Sequence, residues 1–331
     1  MQKRTRILLM LLGLLPISIC VAAGLGAYQI LPWRIPKTLL FQEEGFPVLF
    51  YVRFPRIVLA AIVGSMLAIS GATLQGIFRN PLADPGLIGV TAGAGLGASL
   101  WIVVFGGGLL GMWGVPVAAF TCGSIVTIGV WKISESGGKV HTVTLLLAGI
   151  ALNSIAGACI GLMTFLADDE QLRSLTFWFL GGFGGATWTV VFVTIPIAIV
   201  GLIVLLQQAS SLNAISLGES EAYHLGVRTE SLKRWSVFGV ALTVGAAVSA
   251  AGGIGFVGLV VPHLLRLIGG ADHRYVLPGS ALGGALLLIL ADLFSRTVVA
   301  PAELPVGVVT ALLGGPFFLW LLIRFKREIF L

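Results

Sequence analysis

Long apolar runs separated by short polar breaks set the pattern of this chain. The first begins after Lys3, Arg4 and Arg6 and extends from Ile7 to Leu31. A signal-peptide core would occupy only about 7–15 residues, whereas about 20 are needed to cross a bilayer. The run is therefore expected to be a retained first helix. Further runs, bounded by charge, Pro or Gly, predict helices near 55–76, 87–106, 109–132, 142–166, 187–207, 235–252, 255–269, 277–298 and 305–325. The 255–269 segment is short and contains Pro262, which predicts a broken or tilted helix. The pattern is that of an all-α polytopic membrane protein with about ten transmembrane helices. The whole chain, residues 1–331, reads as a single transmembrane domain.

Composition supports the same class. Apolar residues make up 57% of the 331 and charged residues 10%, too little charge to clothe a soluble globule of this length. The 45 glycines follow no collagen period and suit close helix approach in a membrane. Three glycines, Gly89, Gly93 and Gly97, make a smooth stripe, and Gly245, Ser249 and Gly253 make another. Cys20, Cys122 and Cys159 lie in apolar runs and read as small buried hydrophobes.

The net charge of +6 fits the excess of Lys and Arg on the cytoplasmic side of membrane proteins better than nucleic-acid binding, because no basic face with interleaved aromatics accompanies it. Ten spans from a cytoplasmic N-terminus return the C-terminus to the cytoplasm. On that count fourteen of the 20 basic residues fall inside, leaving Arg34, Lys37, Arg53, Arg56, Arg173 and Arg296 outside.

Chemistry of its own is not expected of the chain. Gly137-Gly138-Lys139 lacks the Ser or Thr after Lys and the earlier Gly of a phosphate loop, where Val140 and Ile133 stand instead. The four histidines are scattered, without H-E-x-x-H, and no G-x-S-x-G elbow is present. Neither a metal nor a cofactor is expected on this chain. Asp292 lies inside the ninth predicted helix, four residues before Arg296, so an i,i+4 ion pair is expected. It is also the one feature that would suit an ion-coupled secondary transporter.

A polar stretch of about 208–234 interrupts the pattern on the predicted cytoplasmic side. Its second part, from Glu219 to Gly226, predicts a short helix with Glu219 and Glu221 in the first turn and Gly226 as its cap. A structured loop of this length suggests contact with a partner.

Ordered motifs then identify a resemblance over nearly the whole chain. They are Arg53-Phe54-Pro55-Arg56, Ser70-Gly71-Ala72-Thr73-Leu74-Gln75-Gly76, Arg79-Asn80-Pro81-Leu82-Ala83-Asp84-Pro85-Gly86 and Leu145-Leu146-Leu147-Ala148-Gly149. Leu217-Gly218-Glu219, the run from Gly255 to His263, Asp272-His273-Arg274 and Glu303-Leu304-Pro305-Val306-Gly307 complete the series. The sequence resembles the FecCD family of permeases that import iron chelates, haem and vitamin B12.

The resemblance implies a type II ABC importer permease fold in a bacterial inner membrane, working as a homodimer surrounded by lipid. Its implied partners are two ATP-binding cassette subunits, which carry ATP and Mg and hydrolyse the nucleotide, and a periplasmic substrate-binding protein. It further implies that Arg53, Arg56 and Arg296 dock the binding protein. Leu217, Gly218, Glu219, Glu221, His224 and Leu225 would couple to the ATPase, and Asn80, Leu82 and Thr142 would form the cytoplasmic gate. Leu172 to Trp178 and Gly314 to Trp320 are most similar to the haem branch, while Gly181-Gly182-Phe183-Gly184-Gly185 is similar to the vitamin B12 branch. Haem is the expected cargo, with a ferric siderophore or vitamin B12 as alternatives.

Overall fold

The computed structural model describes residues 2–26, 28–106 and 110–329; the side chains of residues 2, 321, 322 and 324–329 are outside the description. Three residues on which the charge count relies, Arg324, Lys326 and Arg327, fall in that last group, and the first residue predicted for the fourth helix, at 109, is also outside.

Fourteen α-helices are described. They are α1 (Gln2–Gly24), α2 (Ile35–Phe41), α3 (Phe54–Ile77), α4 (Val90–Leu100), α5 (Gly114–Ser134), α6 (Thr142–Leu166) and α7 (Asp169–Leu180). After them come α8 (Trp188–Gln207), α9 (Ala209–Ile215), α10 (Glu219–His224), α11 (Thr229–Ala251), α12 (Val257–Gly269), α13 (His273–Ser295) and α14 (Val306–Ile329). Among the described residues seven helices are long and apolar enough to cross a membrane, and Val90–Phe105, Val257–Gly269 and Val306–Trp320 are shorter apolar helices. Together they account for the ten apolar runs of the sequence.

The core is built on α3. Its apolar window is 78% buried, against 61% for α11 and α13 and 22% for α6. It packs along α13 and also against α11, α12 and α8. The approach to α13 is close because Gly64 faces Gly284; a Cβ at either would overlap the other's carbonyl. Ser70 Oγ and Thr243 Oγ1 join α3 to α11 at 2.7 Å, and each hydroxyl also bonds a carbonyl of its own helix. These two hydroxyls thereby find partners inside the bundle. The Gly89–Gly97 stripe packs closely on α5, with Gly93 against Cys122 and Gly97 against Ala118.

Local signals explain the helix ends. Past α3, Arg79 adopts φ +48°, while Arg79 N–H bonds Gly76 and Asn80 N–H bonds Gln75. This is a Schellman closure, and Pro81 prevents continuation. Asp272 caps α13 through Arg274 N–H, so that helix starts before the predicted 277. The first helix stops at Gly24 rather than Leu31, where Leu25 and Gly26 open a turn toward the short α2. Pro262 is accommodated within α12, which is short but unbroken.

Besides α2 and α9, two further elements lie outside the predicted runs. One is α7, which begins at a reciprocal capping box between Asp168 and Gln171. The other is a hairpin of β1 (Glu135–Ser136) and β2 (Lys139–Val140), turning through Gly137-Gly138 immediately before α6.

Candidate functional site

One end of the bundle holds a cavity of about 910 Å³. The end of α4, α7, the α7–α8 loop, the end of α11 and the α13–α14 loop surround it. Trp101, Phe177, Trp178 and Phe183 supply aromatic wall, and Gly184 and Gly185 supply exposed backbone. Asp168, Glu170, Gln171, Ser174, Arg56 and Glu303 supply the polar groups. Three helix ends meet in its lining, those of α7 and α11 and the start of α14, where a Cβ on Gly307 would strike the Leu180 carbonyl. Gly252 takes φ +70°, and a Cβ there would strike the Trp178 carbonyl, so α7 and α11 meet backbone to backbone. Gly182 N–H donates to the Ala251 carbonyl at 2.8 Å and seals the join.

Arg53, Arg56 and Arg296 cluster at this same end, as their sequence positions predict. All three are largely buried within the chain: Arg53 is 5% and Arg56 8% exposed, and the Arg296 side chain 8%. The cause is the early end of α1, which leaves carbonyls without helical partners. Arg53 donates to the Ala23 carbonyl at 2.5 Å, to Gly24 at 3.2 Å and to Tyr28. Arg296 donates to Leu25 at 2.8 Å and to Ala22. Two guanidiniums thus cap the C-terminus of α1, where positive charge is favourable.

Arg56 is placed differently. Its Nε donates to Asp292 Oδ1 at 2.7 Å, and its Nη1 meets Glu303 at 2.9 and 3.0 Å. Asp292 is 1% exposed, and its other oxygen lies 3.6 Å from Arg296 Nε. The expected Asp292–Arg296 pair is therefore present but secondary to Arg56. A carboxylate placed between two guanidiniums serves as their shared counter-ion. Of the three arginines, Arg56 alone lines the cavity.

The opposite end carries the polar loop. The predicted short helix is α10, with Glu219 and Glu221 in its first turn. Gly226 closes it at φ +83°, with Gly226 N–H on Tyr223 and Val227 N–H on Ala222. Ahead of it lies α9, which the sequence reading missed; the buried pair Leu212 and Ile215, three apart, was its signal. Leu212, Ile215 and Ala222 anchor the loop in the core. Leu217, Tyr223 and Leu225 instead project at 66%, 71% and 64% exposure, while Glu221 and His224 are also exposed and Gly218 is buried.

Asn213 ties the loop to the bundle. Its Nδ2 donates to Asp272 Oδ1 at 2.7 Å, and its Oδ1 accepts His273 N–H at 2.7 Å. Arg4 of α1 closes on the other oxygen of Asp272 at 2.7 Å. The Asn213 bond, the Arg274 N–H and the neighbouring arginines hold the Asp272 carboxyl below its ordinary pKa.

The predicted gate residues stand on adjoining elements. Asn80 Oδ1 accepts Leu82 N–H at 2.9 Å, an Asx turn at the end of α3. Thr142 opens α6. Further along, α6 meets the segment after Leu82, where Asn153 Nδ2 donates to the Gly86 carbonyl at 2.9 Å and Gly149 sits on Leu87. Asn80 is exposed, and Leu82 and Thr142 are half-buried. Among the described residues, no group of three or more His, Cys, Asp or Glu is placed to hold a metal ion.

Comparison with known proteins agrees with this architecture. The hemin transport system permease protein HmuU of Yersinia pestis is 43% identical over 320 residues, covering 96% of this chain and 95% of that protein. The vitamin B12 import system permease protein BtuC of Shigella boydii is 40% identical over 319 residues, covering 96% and 94%. Among solved structures, one described as an inward-facing conformation of a metal-chelate type ABC transporter superposes with a TM-score of 0.84 at 34% identity, over 97% of this chain and 99% of that one. PsaBC from Streptococcus pneumoniae shares the fold, with a TM-score of 0.57 at 17% identity over 87% of this chain and 94% of its own. The chain is a multi-pass membrane protein with the type II ABC importer permease fold. The FecCD transport family model matches residues 14–324, and the chain belongs to that family.

Proposed function

We propose that this chain is the permease subunit of an ATP-driven importer that moves haem from the periplasm to the cytoplasm. The observation that carries the reading is the opposition of its two ends. One end has a cavity with aromatic walls, and the other has a core-anchored loop that projects Leu217, Tyr223 and Leu225. Exposed large apolar side chains beyond the hydrocarbon-length helices suit a protein partner. Aromatic faces and bare glycine backbone suit a flat macrocycle. The likeness to HmuU favours haem, and the likeness to BtuC makes vitamin B12 the second reading.

In this proposal the whole chain, 1–331, acts as one permease domain in the bacterial inner membrane. The loop of about 208–234 and both termini lie in the cytoplasm, and two copies form the homodimer. Two ATP-binding cassette subunits hold ATP and Mg and do the hydrolysis, engaging Leu217, Gly218, Glu219, Glu221, His224 and Leu225. The periplasmic binding protein settles on the cavity end. Arg56 offers its guanidinium at the cavity wall, while Arg53 and Arg296 keep that end in shape. Asn80, Leu82 and Thr142 narrow the cytoplasmic mouth. Binding energy at the loop shifts the population between outward-open and inward-open states.

The test is uptake into vesicles that contain the permease with its ATPase subunits. Binding protein loaded with haem, vitamin B12 or a ferric siderophore is added outside. ATP-dependent entry of haem alone is expected. Entry of another chelate would keep the importer and change the cargo, and entry independent of ATP would overturn the reading.

A further inference from the structure

Lys233 makes a set of bonds that none of the roles above uses. It sits in the first turns of α11, and its side chain is 4% exposed. Its Nζ donates to three acceptors on three segments. Glu219 Oε1 of α10 lies at 2.5 Å, the Val140 carbonyl of β2 at 2.8 Å and Glu230 Oε1 of α11 at 3.3 Å. The second oxygen of Glu230 accepts Val140 N–H at 2.8 Å. Both backbone groups of Val140 are thus held by side chains of α11.

Val140 is buried and lies two residues before Thr142, the first residue of α6. The chain between them has little slack. His141 N–H bonds the Ser134 carbonyl at 3.1 Å, and Leu145 N–H bonds the His141 carbonyl at 2.9 Å. An ammonium has three donors and no acceptor, and here each donor has a partner. One buried ammonium is shared by two carboxylates and a carbonyl, so the three segments are held as a set. Within this chain only 22% of the α6 window is buried, so the contacts at its first turn are a large share of what this chain uses to position it.

We propose that Lys233 is a positioning residue for transport: it carries displacement of α10 through β2 to the gate end of α6. The inference rests on the importer reading, in which α10 meets the ATPase. Lys233 does not line the cavity. It joins the element that receives the partner to the element that carries Thr142.

The test uses the full permease assembled with its ATPase subunits in vesicles, and reads cargo moved per ATP hydrolysed. Lys233→Met is expected to lower that ratio about tenfold, within the range over which single residues alter coupling between sites. A solely structural role would lower the amount of assembled complex and leave the ratio intact. A second readout is the distance between spin labels at Lys139→Cys and Ser220→Cys, both exposed positions, in a background without the three native cysteines. With Lys233 present, that distance should be the same in nucleotide-free and ATP-bound complexes; with Lys233→Met it should differ between them. A wild-type ratio in Lys233→Met, or a state-dependent distance with Lys233 intact, would overturn the inference. If Lys233→Met fails to assemble, the distance measured with Lys233 intact decides alone. Uptake that ignores ATP in the wild-type complex would instead overturn the importer reading beneath it.

Discussion

Asp292→Asn is the sharpest probe of the cavity end. The substitution keeps the shape of the side chain and removes its charge. Asp292 is 1% exposed and bonds Arg56 at 2.7 Å, while Arg296 stands 3.6 Å away on its other oxygen. At an effective dielectric near 20, unit charges about 4 Å apart attract by about 4 kcal/mol. Desolvation offsets much of that when the pair forms, but the offset is not recovered when only one partner is removed. Breaking a buried pair from one side therefore costs about 3–5 kcal/mol. Glu303 relieves part of the strain on Arg56, but it is 49% exposed, and such pairs contribute only about 0–1 kcal/mol. The expected loss for Asp292→Asn is about 3 kcal/mol, near the lower end of that range. At about 2–4 °C per kcal/mol this lowers the melting midpoint by roughly 6–12 °C. The assay is survival of the monodisperse peak of the detergent-solubilised full chain after heating. The double variant Arg56→Met, Asp292→Leu should recover only the part of the loss that comes from Arg56, because Arg296 still lacks its carboxylate. A midpoint for Asp292→Asn within about 1 °C of wild type, a difference well under 1 kcal/mol, would refute the idea that this carboxylate holds the arginines together.

Three further outcomes are expected. Gly64→Val should prevent accumulation of folded protein, because its side chain would occupy the space of the Gly284 carbonyl at the α3–α13 crossing; membrane-fraction yield and peak shape test this. Asp272 has a depressed carboxyl pKa, so its contribution to stability is complete above the unfolded value of about 3.9 and is lost as pH falls through the lower folded value. The midpoint of Asp272→Asn should accordingly change less than that of wild type between pH 6 and the acid limb at about pH 3, and parallel curves would exclude the assignment. Leu225→Asp, on the projecting part of the loop, should weaken capture of the ATPase subunit about 10- to 100-fold in a titration while leaving the permease's own melting midpoint unchanged.

The long apolar runs were legible because hydrocarbon solvation imposes one requirement on every spanning segment, and the runs between Phe54 and Ile77 or Trp188 and Gln207 state it without ambiguity. The helix α10 was legible for a local reason, since Glu219, Glu221 and Gly226 each mark a helix end. The helix α7 was readable and was not read: Asp168-Asp169-Glu170-Gln171 is a capping-box sequence, but its apolar content is too low to stand out as a span. The arginines show where position alone fails. Arg53 and Arg296 lie at helix ends predicted to be on the outer side, and charge counting gives their side of the membrane but not what they bond. What turns them inward is the early end of α1 at Gly24, more than 25 residues from Arg53 in sequence and some 270 from Arg296. Tertiary capping between remote segments leaves no periodic trace. The Lys233 cluster is illegible for the same reason, because Val140, Glu219 and Lys233 meet only once the hairpin, α10 and α11 are folded.

The distribution of burial limits where motion can occur. The helix α3 carries Arg56 at one end and leads into Asn80 at the other, so it connects the cavity to the predicted gate. It is also the most buried span, locked to α13 where Gly64 meets Gly284 and to α11 by the bond between Ser70 and Thr243. Displacing it would break close packing along much of its length, which dense interiors resist. By contrast α6, α8 and α5 are 22–28% buried, and α6 presents Val143, Leu147, Ile150, Leu162 and Phe165 to its surroundings. The expected transport cycle keeps α3, α11 and α13 as its frame and moves α6 against them. The consequence is testable in the assembled complex: label pairs between α3 and α13 should hold their distance on ATP binding, and pairs between α3 and the Thr142 end of α6 should change. Equal movement in both sets would mean that the frame itself bends, and the close approach at Gly64 could not then be the fixed point of the fold.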